Sequence, residues 1–191
     1  MSYTHINVRR AHIVKLKMSG VALNFKRMTN RTANLLGVVG LNVAARIEES
    51  ARELLNHTGE TPAALVVIGY DLGPTNDQLR RILGLSHSGT VRLVDRLVLD
   101  GLVERREGRD KREIALYVTR RGKALREQIL KDRLAAIRPL LSPLSEDEQE
   151  SLWALLHKML SAMTTDDIER RNLCRLCDNR VCTDCPIPAD F

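Results

Sequence analysis

Between Gly73 and Gly101 the chain spells out two short helices with almost nothing between them. Gly73-Pro74 breaks whatever precedes it. Thr75 is a helix-capping residue, and Leu79, Ile82 and Leu83 then fall on one helical face. Gly84 and Ser86 supply a stop and a second cap, so the next helix runs from about His87 to Leu99. Val91, Val94, Leu97 and Val98 share its inner face, leaving His87, Ser88, Gly89, Arg92, Asp95 and Arg96 outward. Gly101 ends that helix. Leu102–Arg106 then enters one strand and Ile114–Val118 reads as a second, with Leu116 and Val118 on the core side. The charged run Glu107-Gly108-Arg109-Asp110-Lys111-Arg112 forms the tip between them. A helix-turn-helix followed by such a hairpin is a winged helix, whose second helix suits a DNA major groove.

Long helical stripes lie on both sides of this unit. Thr32 is placed to cap a helix running to about Leu55, with Leu35, Leu36, Val39, Val43, Ile47 and Leu54 on one stripe and Gly59 just beyond its end. Pro62 sits where a first-turn proline is tolerated, and a short apolar helix follows through Leu65, Val66 and Ile68 to about Tyr70. Thr119 caps a basic helix that Pro139 and Ser142-Pro143 bring to an end. Ser145 with Glu148 is a capping box for a last long helix carrying Leu152, Leu155, Leu156 and Met159. With aromatic residues at only 3%, the core falls to Leu, Val, Ile and Ala, which suits packed helices. The expected fold class is therefore mainly α: a winged helix-turn-helix with a two-stranded β wing, flanked by long N- and C-terminal dimerisation helices. The expected divisions are a basic arm over 1–31, whose first residues read as an ordered arm, a disordered tail or a stretch upstream of a start at Met28, and a dimerisation helix over 32–60. A DNA-binding domain over 61–122, dimerisation helices over 123–165 and a cysteine-rich tail over 166–191 complete them.

The net charge of +6 matters through its placement. Residues 1–47 carry eight basic residues and no acid, and residues 72–123 carry twelve basic residues against seven acids. Positive charge is thus concentrated on the arm and on the winged helix, which favours double-stranded DNA as partner. Ser86, His87, Ser88 and Thr90 stand at the start of the second helix, where small side chains allow close approach to bases and phosphates. Arg92 and Arg96 follow one turn apart, with reach to phosphate or guanine, while Arg109 and Arg112 sit on the hairpin, where a guanidinium can enter a narrow minor groove. The other reading of the same surface is a winged helix that binds protein, in a metal- or redox-handling adaptor.

These residues resemble the MarR family of bacterial transcription regulators. The likeness is carried by Leu85–Leu97, by Gly101-Leu102-Val103-Glu104-Arg105, by the wing Asp110-Lys111-Arg112 and by Val118-Thr119-Arg120-Arg121-Gly122. By layout it covers roughly residues 33–163, closely only 79–122, and it departs at Arg80, where the family usually has a small apolar residue, and at the Gly73-Pro74 break. The resemblance implies a homodimer with interlocked terminal helices and wings that straddle DNA. It implies Arg92 as a recognition-helix contact and Arg112 as the wing arginine, with a small-molecule effector held between dimer helices and winged helix. Geometry points to the dimer too, since two recognition helices one DNA turn apart double the contacts and call for an inverted-repeat operator.

All four cysteines fall in one stretch: Cys174-Arg-Leu-Cys177, four residues, then Cys182-Thr-Asp-Cys185-Pro186. Two such pairs can place four thiolates around one centre, and Arg171, Arg175 and Arg180 beside them are expected to lower the thiol pKa values. Zinc held by Cys174, Cys177, Cys182 and Cys185 is the plainest expectation. An iron–sulfur cluster and redox or disulfide-forming thiols stay open. The MarR resemblance does not extend to this tail.

His57, His87 and His157 are isolated, and no nucleophile elbow, phosphate loop or paired-carboxylate pattern is present, so no enzyme is expected. The Met1–Arg31 stretch lacks the clean apolar core of a secretory leader, and the apolar run Ala33–Ile47 is too short and too interrupted to span a bilayer. The expectation is a soluble, cytoplasmic protein without membrane contact.

Overall fold

The computed structural model describes residues 30–55, 59–70, 73–108, 113–163, 166–181 and 184–187. By contacts the chain divides into two compact units, Met1–Val38 and Val39–Phe191. The described part of the first is the opening of helix α1 (Asn30–Leu54), which presents Leu35, Leu36 and Val38 to solvent. That helix begins two residues before the expected cap at Thr32.

The second unit holds the core. Helix α2 (Thr61–Tyr70) is buried from Thr61 through Ile68 on every side, because it is apolar throughout rather than amphipathic. Helices α3 (Asn76–Leu83) and α4 (His87–Leu99) follow, then strands β1 (Val103–Glu107) and β2 (Ile114–Val118), and helix α5 (Arg120–Ile137). The core gathers Leu65 and Ile68 of α2, Leu79 and Ile82 of α3, Val94 and Leu97 of α4, Val103 and Leu116 of the strands and Leu130 of α5. A 3-10 turn at Arg138–Leu140 leads to α6 (Glu146–Ser161), and a further short helix, α7 (Asp167–Leu173), opens the tail. The strands pair antiparallel, Val103 with Val118 through Glu107 with Ile114, and the Gly108 N–H donates to Glu113 O at 2.8 Å to close the described part of the hairpin.

The caps do the local work expected of them. The Thr75 hydroxyl accepts from Gln78 N while the Gln78 side chain accepts from Thr75 N, a reciprocal capping box. Gly84 takes the left-handed conformation, φ 64°, that ends α3. Gly73 is also left-handed, φ 87°, and a Cβ there would come within 2.5 Å of the Tyr117 hydroxyl. The Gly73-Pro74 break thus has a packing reason: the chain turns tightly beneath Tyr117 so that Pro74 O can accept from Leu116 N at 3.0 Å and Thr75 can bridge Ala115. This second edge contact explains why both Ala115 and Leu116 are buried on a strand expected to alternate.

Two long helices stay uncovered. Neither α1 nor α6 has a buried residue, and α6 exposes Trp153, Leu155, Leu156 and Met159. No helix among the described residues is long and apolar enough to cross a membrane.

Candidate nucleic-acid interface and cysteine tail

Helix α4 starts where Ser86 stops the turn, its hydroxyl accepting from Gly89 N at 3.1 Å. A Cβ on Gly89 would sit 2.9 Å from that oxygen, so the glycine makes room for the cap. Thr90 is only 1% exposed, and its hydroxyl donates to Ser86 O at 3.1 Å. That corrects one expectation from the sequence: the Thr90 side chain locks the first turn from inside and does not present itself to a ligand. Val91 and Val98, expected on the inner face, are only partly covered.

The outer face is formed by Ser86, His87, Ser88, Arg92 and Arg96, all exposed. Neither Arg92 nor Arg96 makes an ion pair among the described residues, so both guanidiniums are available to an anionic partner. Asp95 on the same helix is engaged instead by Arg105 of β1, an ion pair that fixes the wing strand against α4. Arg106 lies over the Tyr117 ring at 5.0 Å, stiffening the hairpin from its other face. Arg109 and Arg112, with Asp110 and Lys111 between them, lie outside the described residues. Beside this face, Asp77 takes both Arg80 and Arg81, at 2.9 and 2.8 Å, and its bond to Arg80 chiefly holds its carboxyl below the ordinary range.

Behind the winged helix, Ala44, Ile47, Pro62, Ile129, Arg133 and Leu176 are among the residues lining a cavity of about 200 Å³. The Arg133 Nε at this cavity is buried without a hydrogen-bond partner among the described residues.

The tail folds back onto this body. α7 is capped by Asp166, whose carboxylate accepts from Glu169 N at 2.9 Å, and it packs on α3. The Asp166-x-x-Glu169 spacing is a helix-start signal that a reading centred on the cysteines passes over. At its end the chain turns through Cys174 and Cys177, the Cys177 N–H donating to Cys174 O at 2.8 Å. Cys185 lies close enough for its charge to act on Cys174, and its Sγ–H donates to the carbonyl of buried Ile187 at 3.2 Å. Burial, then the Cys185 charge, push the Cys174 thiol up, outweighing the help of Arg170. The expected lowering by neighbouring arginines is therefore corrected for Cys174. The arginines named for it face carboxylates: Arg171 meets Asp167, Arg175 meets Glu60, and Arg180 bridges Asp178 and Glu127. Among the described residues no group of three or more His, Cys, Asp or Glu side chains is disposed around one point, and Cys182 lies outside them.

Tyr70 joins α2 to the tail. Its hydroxyl donates to Cys177 O and accepts from Asn179 N at 3.3 Å, and its ring lies 4.1 Å from the Arg126 guanidinium. Burial raises its pKa. Gly69 lets Arg126 pass, since a Cβ there would come within 2.2 Å of Arg126 Cδ.

Residues 56–113 match the model of the MarR family. Among solved structures, wild-type MarR from E. coli in its apo form is 28% identical, with 67% of this chain and 95% of that chain covered and a TM-score of 0.59. RV1404 from Mycobacterium tuberculosis is 23% identical, covers 72% of this chain and 95% of its own, and gives a TM-score of 0.64. A MarR family protein from Mycobacterium tuberculosis solved in complex with DNA is 20% identical, with 66% and 95% covered and a TM-score of 0.55. Comparison with curated proteins gives no match. Family model and solved structures together identify the fold as the winged helix of MarR family regulators.

Proposed function

We propose that this chain is a MarR-type transcription regulator that binds a specific inverted-repeat operator as a homodimer. The observation that carries the reading is the outer face of α4, where Arg92 and Arg96 stand exposed and without an ion pair among the described residues, beside a wing tied to the same helix by Arg105 and Asp95. A structural neighbour bound to DNA uses the same fold, which supports the docking mode. The dimer reading rests on α1 and α6, two helices of 25 and 16 residues with no buried side chain and with exposed apolar residues on each. The cavity beside Arg133 suits a small effector with a hydrogen-bond acceptor, since it offers a buried donor in a lining that mixes apolar residues with Glu48, Glu60 and Arg175.

The C-terminal cysteines form, in this proposal, a metal site with zinc as the ion. Support comes from the two Cys-x-x-Cys pairs and from the tight turn that joins Cys174 to Cys177. Elemental analysis and an absorption spectrum of anaerobically purified protein test it. About one zinc per chain supports the site, whereas iron with a visible charge-transfer spectrum replaces zinc by a cluster.

Selection of the full-length protein on a pool of random duplexes tests the regulator reading. Enrichment of a two-fold symmetric motif with half-sites about one helical turn apart is expected. Recovery of no motif, with capture of protein partners in its place, would move the winged helix to the adaptor role.

A further inference from the structure

Two residues of the tail, Arg175 and Leu176, help to line the cavity behind the winged helix, together with Ile47 of α1 and Ile129 of α5. Both follow the MarR-like layout of residues 33–163 and are an addition to it. Leu176 packs against the core, and the Tyr70 hydroxyl of α2 donates to the neighbouring Cys177 O, so this piece of wall is held on the body.

Arg175 also begins a short relay to the helix-turn-helix. Its Nη1 donates to Asn172 O at 2.8 Å and to Asn172 Oδ1 at 3.5 Å. Asn172 in turn donates from Nδ2 to Ile82 O at 2.6 Å, across ninety residues of sequence. Ile82 stands in the last turn of α3, whose final carbonyls need donors from outside the helix. The turn itself serves two of them, Gly84 N reaching Arg81 O at 3.3 Å and Leu85 N reaching Arg80 O at 3.0 Å. A cavity residue is thus joined through one side chain to the end of the helix that precedes α4.

The cavity's volume of about 200 Å³ admits only a small occupant, since sites for drug-sized ligands begin at roughly 300 Å³. Its charged lining is balanced, Arg133 and Arg175 against Glu48 and Glu60, so a fully charged occupant meets repulsion as well as attraction. A neutral group that both accepts and donates suits it better. A primary amide on a small apolar ring offers its carbonyl to the Arg133 Nε, which is buried without a hydrogen-bond partner among the described residues, and its N–H groups to a carboxylate.

We propose that the tail makes this cavity a sensor for small neutral amides, with Asn172 as the positioning residue that passes its occupancy to the end of α3. The inference rests on the effector reading above. A carbonyl in the cavity competes with Asn172 for the Arg175 guanidinium, which faces Glu60 at only 3.7 Å and is free to swing between them. Once Arg175 turns to the occupant, Asn172 loses its anchor and Ile82 O loses its donor. The turn that sets the angle of α4 then loosens, and DNA affinity falls by as much as the occupant prefers the loosened arrangement.

Benzamide is the probe, titrated into the full-length chain by calorimetry, with amide exchange followed over the α3–turn–α4 segment in its absence and at saturation. Saturable binding is expected, with exchange at Gly84 and Leu85 about fivefold faster at saturation, the scale of one lost hydrogen bond. Leu176→Trp fills the cavity from the tail side and is expected to abolish binding. Asn172→Ala is expected to bind benzamide, to exchange at the faster rate without it and to be indifferent to its addition, which a merely structural defect would not produce. Asn172→Asp, which keeps the shape but replaces the donor by an acceptor, is expected to behave alike. Binding with unchanged exchange overturns the relay and leaves the effector cavity standing. Binding of benzoate in place of benzamide overturns the amide class, and binding of neither overturns the effector reading and the relay with it. Undiminished binding in Leu176→Trp overturns the tail as part of the wall. An intact response in both Asn172 variants overturns the role of that residue.

Discussion

At Gly122 a Cβ would lie 2.0 Å from Leu102 O, a backbone atom that cannot rotate away. The first turn of α5 is pressed against the loop leaving α4, so the wing and the helix behind it share one fixed joint. Gly122→Ala is expected to destabilise the fold by about 1–3 kcal/mol or more through overpacking, measured by chemical denaturation. The Asp95–Arg105 pair sits at the same scale: it occupies the acid on α4 and leaves Arg92 and Arg96 without a competing carboxylate. Residue identity alone pointed to those two arginines. It did not separate them from Thr90, which shares the helix start but turns inward, because a threonine hydroxyl is as well served by a carbonyl four residues back as by a ligand.

Elements were legible at most of the caps and stop residues, Thr32 inside α1 being the exception. Thr75, Ser86, Thr119 and Ser145 each hold the helix start assigned to them, and Gly84 and Gly101 both adopt positive φ at helix ends. Thr119 does more than cap, since its hydroxyl donates to Gly101 O at 2.7 Å while accepting from Gly122 N at 3.0 Å. Thr119→Ala is expected to cost about 1–2 kcal/mol, read as a lower denaturant midpoint with an unchanged slope. Helix α7 escaped the sequence reading, being short and charged, with an inner face defined by Asn172 rather than by an apolar stripe. Pairing β2 with both β1 and Thr75 was also invisible, because it depends on how the Gly73 turn folds under Tyr117.

For the molecule as a whole, the apolar residues left on α6 argue for a partner of the same kind. Leu156→Arg is expected to shift the protein from dimer to monomer in sedimentation at micromolar concentration, while the winged helix keeps its fold, since Leu156 is 42% exposed and outside the core. The proposed assembly, operator and metal are not legible in periodicity, because each depends on atoms that a single chain does not contain. Within the described residues the charge pattern found Arg92 and Arg96, which the fold displays on the outer face of α4, while most of the basic arm and the tip over 109–112 lie outside them.

The central claim is that the outer face of α4 neutralises DNA phosphates, and titration of the selected duplex across a salt series measures it most directly. The account requires log K to fall steeply and linearly with log salt, with Arg92→Ala weakening binding by about 1–3 kcal/mol; if Arg92 meets a phosphate, the slope also becomes shallower by about one. Affinity that is flat in salt, or untouched by loss of Arg92 and Arg96 together, would contradict it.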